Sequence, residues 1–439
     1  MITEMQANRF ATQSLNDARV LRILSAALDA VDPFKAVQKY LPLLDGNVHG
    51  LAIGKAAIPM MDALAARIPL SSGLAVTKFA PGLSPRRYPV LEGGHPIPDV
   101  RSLHAGERVL EYVSLIPDSD TLVCLISGGG SALVTAPHEG ISLEDMQALT
   151  SLLLASGARI DEINTLRRAV DRVKGGGLLH ATKAEVISLI LSDVIGNPLE
   201  AIASGPTYPN PTTAADALAI LRTYKIETQV PSSIFHFLAS ANNPASKQEI
   251  ASLRQAPGEA PLLATTSVQN IIIGDNSLAS QAAQEQAQKE GFHAEVLTNE
   301  LQGEARDVGA MLARRLRDEA RKRPRPFCLI AGGETTVTLR GDGQGGRNQE
   351  LALAAVEELR GLKDVMLIAL ATDGDDGPTD AAGAVVTGES ASRAEALGLD
   401  AAGSLSRNDA YPFFEALGDL IRTGPTGTNV NDLIFLVAI

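Results

Sequence analysis

Short apolar runs alternate with longer segments of helical period between about residue 20 and about residue 205. The runs rich in β-forming residues lie at residues 50–53, 73–76, 122–126 and 185–191. This alternation is typical of βαβ units and predicts a doubly wound α/β domain, with a parallel sheet covered by helices on both faces. Glycine, serine, lysine or aspartate follows each run, so polar groups gather at the carboxyl ends of the strands, where open α/β sheets bind ligands.

A second α/β domain is predicted in the remainder of the chain. Residues 255–261 contain two prolines and one glycine and form the expected linker. Beyond the linker, the pattern predicts a strand at residues 270–273 and a helix at residues 278–289. We therefore expect a larger domain over residues 1–262 and a smaller one over residues 263–439. Further apolar strands in the smaller domain are expected at residues 327–330, 365–370 and 433–438.

The length and the composition fit two well-packed globular domains. The 439 residues exceed the roughly 250 to 300 at which one hydrophobic core usually stops growing. Apolar residues make up 45% of the chain and charged residues 20%, which is the composition of a folded globule and not of a disordered chain.

Charge and hydropathy argue against nucleic-acid and membrane partners. The net charge of −13 repels phosphate backbones and anionic lipid headgroups. No run of roughly 18 apolar residues is present, and the N-terminus lacks a basic segment followed by an apolar one, so we expect neither a membrane span nor secretion. Cys124 and Cys328 lie in apolar strand-like runs, as buried free thiols do, which favours the reducing cytoplasm. The sequence leaves the oligomeric state open.

A glycine loop and a lysine are the leading candidates for binding phosphate. Residues 127–131, SGGGS, close an apolar strand, and three consecutive glycines let the backbone expose several N–H donors to an anion. A flexible turn is the alternative. Lys55 ends another strand, and its charge would act on phosphates beside the N-terminus of the next helix, although a solvated lysine is equally consistent with the spacing. The segment is not a P-loop, because His49 stands at the first glycine position and Ala56 replaces the Ser or Thr that would hold Mg²⁺.

Two further charged residues lie at element boundaries. Asp193 follows the strand at residues 185–191 and would serve as a base or a metal ligand, or alternatively would cap a turn. Arg347 begins an apolar-periodic helix, where the helix dipole disfavours a cation, so we expect a carboxylate or phosphate nearby. An arginine that points into solvent is the alternative.

Four cations form a stripe before another glycine cluster, and the stripe either faces an anion or is solvated. They are Arg167, Arg168, Arg172 and Lys174.

Two motifs in the second half are ambiguous. Gly341, Gly343 and Gly346 match the dinucleotide pattern G-x-G-x-x-G, but the segment before them, residues 335–339, is hairpin-like. Residues 372–380 carry four carboxylates, which predict either a divalent-metal site or an Asp-Gly-rich turn. No zinc-type cysteine or histidine grouping and no G-x-S-x-G motif is present, so metallohydrolase and esterase functions are not expected.

Taken in order along the chain, a series of motifs resembles the glycerate 2-kinase family, whose second domain is known as the MOFRL domain. The motifs are GKAA at 54–57, GHPIPD at 94–99, SGGGS at 127–131, SDVIG at 192–196, ASGPT at 203–207, GGRNQE at 345–350, DGPTD at 376–380 and GPTGTN at 424–429. The chain departs from the family pattern at residues 168–171, where RAVD replaces a Lys-His-Leu-Ser stretch, and at Asn197, which stands for an aspartate.

The resemblance implies a Rossmann-like doubly wound domain and a smaller α/β domain, with ATP, Mg²⁺ and glycerate meeting in the cleft between them. It implies transfer of the ATP γ-phosphoryl group to a glycerate hydroxyl, giving 2-phosphoglycerate, and it assigns no metal ligands. Catalytic roles are implied for Lys55, Asp193 and Arg347. Binding roles for substrate or cofactor are implied for Ser127, Gly128, Gly129, Gly130, Ser131, Glu334, Thr426 and Asn429.

The alternative function is an NAD(P)H-dependent hydroxypyruvate reductase, a label that similar sequences have carried. In the residues themselves, only the glycine pattern at 341–346 supports it. The two functions predict different cosubstrates for the same class of small hydroxy or keto acid.

Overall fold

A computed structural model describes residues 7–79, 87–242 and 267–439. These residues form two compact units, each built around a six-stranded sheet. The first-sheet unit comprises residues 37–191 and 197–273, and the second-sheet unit comprises residues up to 36, 192–196 and 274–439, in each case within the described ranges. None of the helices in those ranges has the length and apolarity that a membrane crossing requires.

The first sheet is parallel and follows the strand order β3-β2-β1-β4-β5-β6. Its strands are β1 (Val48–Ile53), β2 (Ser72–Thr77), β3 (Val90–Glu92), β4 (Thr121–Ile126), β5 (Glu185–Leu191) and β6 (Val268–Gly274). This is the strand order of the Rossmann fold, in which the direction of winding reverses between β1 and β4. The doubly wound domain and four of its strands are therefore confirmed, while β3 was not predicted.

Helices cover this sheet and form a small cluster beside it. In chain order, α1 (Ala18–Ala30) belongs to the second-sheet unit, and α2 (Pro33–Tyr40) spans the boundary at residue 37. The helices of the first-sheet unit are α3 (Ala57–Arg67), α4 (Val100–Ser114), α5 (Gly130–Leu133), α6 (Leu143–Ala155), α7 (Ile160–Val170), α8 (Gly177–Ala181), α9 (Ala214–Thr223) and α10 (Ser232–Ala241). Short 3₁₀ helices lie at Asn8–Phe10 and Ile202–Ser204. Helices α6, α7, α9 and α10 bury their apolar faces against one another, because each is amphipathic.

The second sheet is mixed and follows the strand order β11-β10-β9-β12-β8-β7. Its strands are β7 (His293–Leu301), β8 (Phe327–Gly333), β9 (Val365–Ala371), β10 (Gly383–Thr387), β11 (Leu420–Ile421) and β12 (Asp432–Ala438). Only β7 and β8 pair in parallel, and β12 runs antiparallel between β8 and β9. The strands predicted at β8, β9 and β12 are confirmed. Three strands were not predicted. In β7, buried and exposed residues do not alternate regularly, and β10 and β11 are short.

Helices pack against the second sheet around one apolar cluster. They are α11 (Asn276–Lys289), α12 (Ala305–Glu319), α13 (Arg347–Leu359), α14 (Ser390–Ala396), α15 (Ala401–Ser406) and α16 (Ala410–Leu417). The cluster contains Leu312, Leu351, Phe414 and Leu436, all buried. The second α/β domain is therefore confirmed.

The N-terminal segment belongs to the second-sheet unit. The guanidinium of Arg22 in α1 donates to both oxygens of Glu290, at 2.7 and 2.6 Å, just after α11. The fully buried carboxylate of Asp419 accepts hydrogen bonds from the hydroxyl of Thr12 at 3.1 Å and the backbone N–H of Ser14 at 2.8 Å, and it pairs with Arg393 at 2.7 Å. Buried ionic and hydrogen-bonded contacts therefore bind the chain's beginning to a sheet formed several hundred residues later.

The compact units differ from the predicted division at residues 262 and 263. The strand expected at residues 270–273 does not open the second domain; it lies in β6 of the first sheet, where Val186 N–H donates to the Ser267 carbonyl at 2.9 Å. Residues before Val37 lie in the second-sheet unit for the reason given above. The expected linker at residues 255–261 is outside the described residues.

Replacement of Asp419 by alanine tests the N-terminal anchor. We expect Asp419→Ala to lower the free energy of unfolding by about 3 kcal/mol, because the change leaves a partly buried guanidinium without its counter-ion. Urea unfolding followed by circular dichroism measures the change. The control is Asp380→Ala, whose exposed carboxylate pairs with Arg422 and should contribute less than about 1 kcal/mol. Equal effects of the two changes would contradict the anchoring role.

Candidate active site

The carboxyl ends of β1 and β4 meet at the point where the first sheet reverses its winding. Ile53 is in register with Ile126, so the residues that follow each strand are neighbours. In open α/β sheets this is the crevice where ligands bind. The loop after β1 carries Lys55, and the loop after β4 carries residues 127–131, two of the elements predicted from the sequence.

The two loops are held together by backbone hydrogen bonds. The N–H of Lys55 donates to the Gly128 carbonyl at 2.9 Å, and the N–H of Ala56 donates to the Ser127 hydroxyl at 3.0 Å. Gly54 has φ +129°, and a Cβ on it would lie 2.2 Å from the Ser127 hydroxyl oxygen. Only glycine therefore allows the loops to approach this closely. Lys55 and the glycine loop are therefore adjacent, and the lysine side chain is exposed.

The glycine loop presents unused donors. Within the described residues, the backbone N–H groups of Gly128, Gly129 and Gly130 donate no hydrogen bond. Gly129 has φ +83°, and α5 begins at the next residue. Consecutive N–H groups around a left-handed residue form a concave site for an anion. The geometry thus favours the anion-binding interpretation over a plain turn.

The outer side of the loop is closed by a second strained segment. The Ser131 hydroxyl lies 2.8 Å from the hydroxyl of Ser204, and a Cβ on Gly130 would lie 2.8 Å from that of Ala203. Ala203 and Ser204 both have positive φ, +50° and +61°, which is unfavourable for residues with side chains. The ASGPT motif therefore supports the glycine loop from outside, a role that its sequence did not reveal.

His95 is a site residue that the sequence analysis did not single out. A Cβ on Gly129 would lie 3.1 Å from its ring, so the imidazole flanks the glycine loop. Burial, followed by the positive charges of Lys55 and Lys78, lowers its pKa to about 4. At neutral pH the ring is therefore uncharged and adds a polar group without adding to the positive charge. His95 is the second residue of the GHPIPD motif, which contributed to the family resemblance but did not by itself indicate a place beside the glycine loop.

In the second-sheet unit, Arg347 lies beside two carboxylates, as expected for an arginine at the start of a helix. Its guanidinium donates to both oxygens of Asp432, at 2.6 and 3.0 Å, and lies 2.8 Å from the Glu334 carboxylate. Burial opposes the charge, but the hydrogen bonds and charges of the two carboxylates exceed that effect and hold the pKa of Arg347 above its usual value. Glu334, also predicted for the site, is thus brought to Arg347. The buried Asp432 was missed, although it directly precedes the strand predicted at residues 433–438.

The helix that Arg347 begins is capped by a buried carboxylate from another loop. Asp376 accepts hydrogen bonds from the backbone N–H groups of Asn348 at 3.0 Å and Gln349 at 2.9 Å. A Cβ on Gly346 would lie 2.3 Å from the Asp376 side chain, so glycine is required here also. Burial is the main cause that raises the pKa of Asp376, to about 6.

The carboxylates of residues 372–380 therefore serve different purposes. Asp376 caps α13, Asp380 pairs with Arg422, and Asp373 accepts from the N–H of Asp375 at 3.1 Å in a local turn. Among the described residues, no group of three or more His, Cys, Asp and Glu side chains is arranged to hold a metal ion. The structural-turn interpretation of this loop is favoured.

Thr426 and Asn429 lie in the loop before β12. The Thr426 hydroxyl donates to the Thr372 carbonyl at 2.6 Å, and the side-chain oxygen of Asn429 accepts from the N–H of Asn431 at 3.2 Å. These bonds shape the GPTGTN loop and lead directly into Asp432. Their predicted contact with substrate or cofactor stays a prediction.

Asp193 is the second residue after β5 and belongs to the second-sheet unit. The N–H of the preceding Ser192 donates to the Gly274 carbonyl at 2.8 Å, and the Asp193 side chain is half-buried. Lys55 and the glycine loop lie in the first-sheet unit, whereas Asp193, Glu334, Arg347, Thr426 and Asn429 lie in the second.

The G-x-G-x-x-G pattern does not adopt a dinucleotide-binding turn. Strand β8 ends at Gly333, and in the hairpin-like segment at 335–339 only Thr336 forms a bridge, to Glu304. The N–H of Gly343 donates to the Arg407 carbonyl at 3.0 Å, and a Cβ on Gly341 would clash with Arg407. These glycines allow close packing against the segment around Arg407, not a strand–turn–helix unit.

Both cysteines are buried and free, as predicted. Burial raises the pKa of Cys124 and that of Cys328 to about 12. Neither thiol is therefore a nucleophile at neutral pH.

Comparison with known proteins gives matches along almost the whole chain. A family model described as "Domain of unknown function (DUF4147)" matches residues 19–239, and the MOFRL family matches residues 327–432. The sequence is 40% identical over 435 residues to the glycerate 2-kinase of Pyrococcus horikoshii. The aligned region covers 95% of this chain and 96% of that protein. It is 39% identical over 421 residues to a putative hydroxypyruvate reductase of Agrobacterium vitis, covering 94% and 92% of the two chains.

A solved structure is also similar. The crystal structure of a glycerate kinase from Thermotoga maritima matches with a TM-score of 0.85 and 40% identity, over 95% of this chain and 98% of that one. The fold described above is therefore shared with that protein.

The raised pKa of the buried Asp376 carboxylate predicts that the stability of the protein depends on pH. Because its pKa is raised from 3.8 to about 6, the folded state holds the proton more tightly than the unfolded state. The group therefore costs no stability below about pH 4 and costs about 3 kcal/mol once the pH has risen above about 6. The free-energy difference between Asp376→Asn and the wild type should shift by about that amount in the variant's favour between pH 4 and pH 7. Urea unfolding at both pH values measures the shift, and a pH-independent difference would contradict it.

Proposed function

The chain belongs to the glycerate 2-kinase family, and we propose on this premise that it transfers the γ-phosphoryl group of ATP to a hydroxyl of glycerate, giving 2-phosphoglycerate. The observation that carries the proposal is the pairing of Lys55 with a glycine loop whose N–H groups are unused, at the reversal point of a Rossmann-type sheet. Such a loop suits the phosphates of a nucleotide.

Phosphoryl transfer needs little covalent chemistry from the protein, so positioning and neutralisation of charge dominate. In our proposal, the Gly128–Gly130 N–H groups and Lys55 hold the phosphates. Arg347 stabilises charge in the transition state or clamps the substrate carboxylate. Asp193 orients the attacking hydroxyl.

The geometry of Arg347 refines its part in this proposal. Two of its donor groups are fixed by the buried Asp432, whereas the third contact is to Glu334, whose side chain is 45% exposed. An anionic ligand would therefore compete with Glu334 and leave the pairing with Asp432 intact. This arrangement keeps the guanidinium oriented before the ligand arrives.

Magnesium is proposed with ATP. Mg²⁺ usually keeps several waters and takes one or two carboxylates together with substrate phosphates, so a site of this kind does not need three clustered protein ligands. The half-buried carboxylate of Asp193 is a donor of the right type. When bound, the metal would neutralise negative charge on the phosphates.

The reductase alternative is suggested by the name of the Agrobacterium vitis relative. The packing of Gly341 and Gly343 against the Arg407 segment does not favour it, because a nicotinamide dinucleotide fingerprint needs a strand directly before the glycines. Two assays separate the functions. Release of ADP that requires both glycerate and Mg²⁺ supports the kinase, and loss of NADH absorbance with hydroxypyruvate in the absence of ATP would overturn it.

Phosphorus NMR of the reaction product tests the site of transfer. We expect the resonance of 2-phosphoglycerate, identified by addition of the authentic compound. A product that coincides with 3-phosphoglycerate would show transfer to the other hydroxyl and contradict the proposed regiochemistry while leaving the kinase activity in place.

Three substitutions test the proposed catalytic residues. We expect Lys55→Met, Asp193→Asn and Arg347→Lys each to lower kcat/KM at least about a hundredfold, or about 2.7 kcal/mol of transition-state stabilisation, because each removes one charge or the bidentate fork. Lys is chosen at position 347 so that the buried Asp432 keeps a cation. A coupled assay for ADP release measures the rates.

The control for this series is Lys183→Met, which neutralises an exposed lysine of the first-sheet unit. Circular dichroism establishes that each variant is folded. Turnover close to that of the control in any folded variant would remove that residue from the mechanism.

A further inference from the structure

Helix α7 carries two polar side chains that have no hydrogen-bond or ion-pair partner within residues 7–79, 87–242 and 267–439. Asn164 is 8% exposed, and Arg167 is half-buried one turn later, so the two share a face of the helix. Among the described residues, neither the Asn164 amide nor the Arg167 guanidinium makes a side-chain hydrogen bond, and no carboxylate lies within 4 Å of Arg167.

The other faces of α7 are fully engaged. Ile163, Leu166 and Val170 pack into the helical cluster with α6, α9 and α10. On another face, Arg168 donates to the side-chain oxygen of Asn210 at 3.0 Å and to the Glu200 carbonyl at 3.2 Å. The lack of partners at Asn164 and Arg167 is therefore not a general property of this helix.

The nearest fixed charges do not neutralise Arg167. Lys174 and Asp171 form a buried ion pair, and Asp171 also accepts from the Thr135 hydroxyl at 2.6 Å and the Val173 N–H at 2.9 Å. The negative charge of Asp171 is thus taken up by Lys174. Burial lowers the pKa of the Arg167 guanidinium, and the pKa of Lys174 is also lowered, by burial first and by the charge of Arg167 as a further cause.

Hydrogen bonds connect the neighbours of Arg167 to the glycine loop. Lys174, beside Arg167, donates to the Val134 carbonyl at 3.2 Å, and the Val134 N–H donates to the Gly130 carbonyl at 3.1 Å. The N–H of Gly175 donates to the Ser204 carbonyl at 3.0 Å, and Ser204 contacts Ser131. Two short chains of contacts therefore connect the Arg167 region to the phosphate loop.

We propose that Asn164 and Arg167 bind the carboxylate of the hydroxy-acid substrate, an inference that rests on the proposed function. A guanidinium fork takes a carboxylate through two parallel hydrogen bonds, and the amide of Asn164 supplies a further N–H donor. The phosphates already have the glycine loop and Lys55. Of the two roles proposed for Arg347, this assignment leaves it the stabilisation of the transition state. The carboxylate is then the remaining anion among the reactants, and it needs a cation of its own.

The first test is Arg167→Gln, with Arg222→Gln as the matched control. Arg222 is an exposed arginine of the same unit that pairs with Glu227. We expect the KM for glycerate to rise about thirtyfold or more in Arg167→Gln, while the KM for ATP stays within about twofold, because only the acid loses its counter-ion. The control should change neither value.

A neutral substrate separates binding of the carboxylate from general damage to the enzyme. With the methyl ester of glycerate, the wild type and Arg167→Gln should have similar kcat/KM, so that the preference for the acid over the ester collapses in the variant. A structural defect would instead lower the rates with both substrates equally. An unchanged KM for glycerate would overturn the proposal. A raised KM for ATP alone would also overturn it and would indicate that Arg167 binds a nucleotide phosphate.

The second test, Asn164→Asp, does not depend on the stability of Arg167→Gln. The new carboxylate would pair with Arg167, so we expect a higher midpoint of thermal unfolding together with weaker binding of glycerate by isothermal titration calorimetry. Stabilisation without loss of glycerate affinity would contradict the carboxylate site. Failure of the proposed function itself is distinct, since the wild type would then show no glycerate-dependent ADP release.

Discussion

The close approach of two backbone loops, after β1 and after β4, is the constraint on which the candidate site depends. A parallel sheet in the order β3-β2-β1-β4-β5-β6 places these strands side by side, and their register brings Gly54 against Ser127. Because no side chain fits between them, the N–H groups of Lys55 and Ala56 can bind the second loop. The glycine N–H groups at 128–130 are then left without a hydrogen-bond acceptor among the described residues.

Two half-buried arginines, Arg347 and Arg167, differ in their counter-ions. Arg347 is oriented by the protein's own carboxylates, Asp432 and Glu334, before any ligand binds. In the part of the chain that the structure describes, Arg167 has no such counter-ion, and Asp171 is already paired with Lys174. An arginine that is internally paired is suited to a role that demands a fixed orientation, whereas an unpaired one gains most from an incoming anion.

Several glycine and aspartate motifs have structural roles that are not chemical. Gly341 and Gly343 allow close packing against Arg407, and Asp376 caps the helix that begins at Arg347. The second role is indirect but important, because it fixes the helix terminus from which the guanidinium projects. Acidic residues spaced closely in sequence therefore need not form one ligand set, since a turn directs their side chains to different partners.

The sequence by itself determined the fold class, most strands and the loops that carry chemistry, because apolar periodicity and strand-end polar residues are local properties. It also gave Lys55, the glycine loop and Arg347 as candidates, since each occupies a recognisable element boundary. Only the tertiary structure decided that β6 joins the first sheet, that the N-terminal helix packs with the second, that His95 lies against the glycine loop and that Arg347 pairs with Asp432. Arg167 belonged to the predicted stripe of cations, but only the structure distinguished it from Lys174, which is paired with Asp171. These facts depend on which distant residues meet and on which side chains are left without a partner, and neither property is encoded in local spacing.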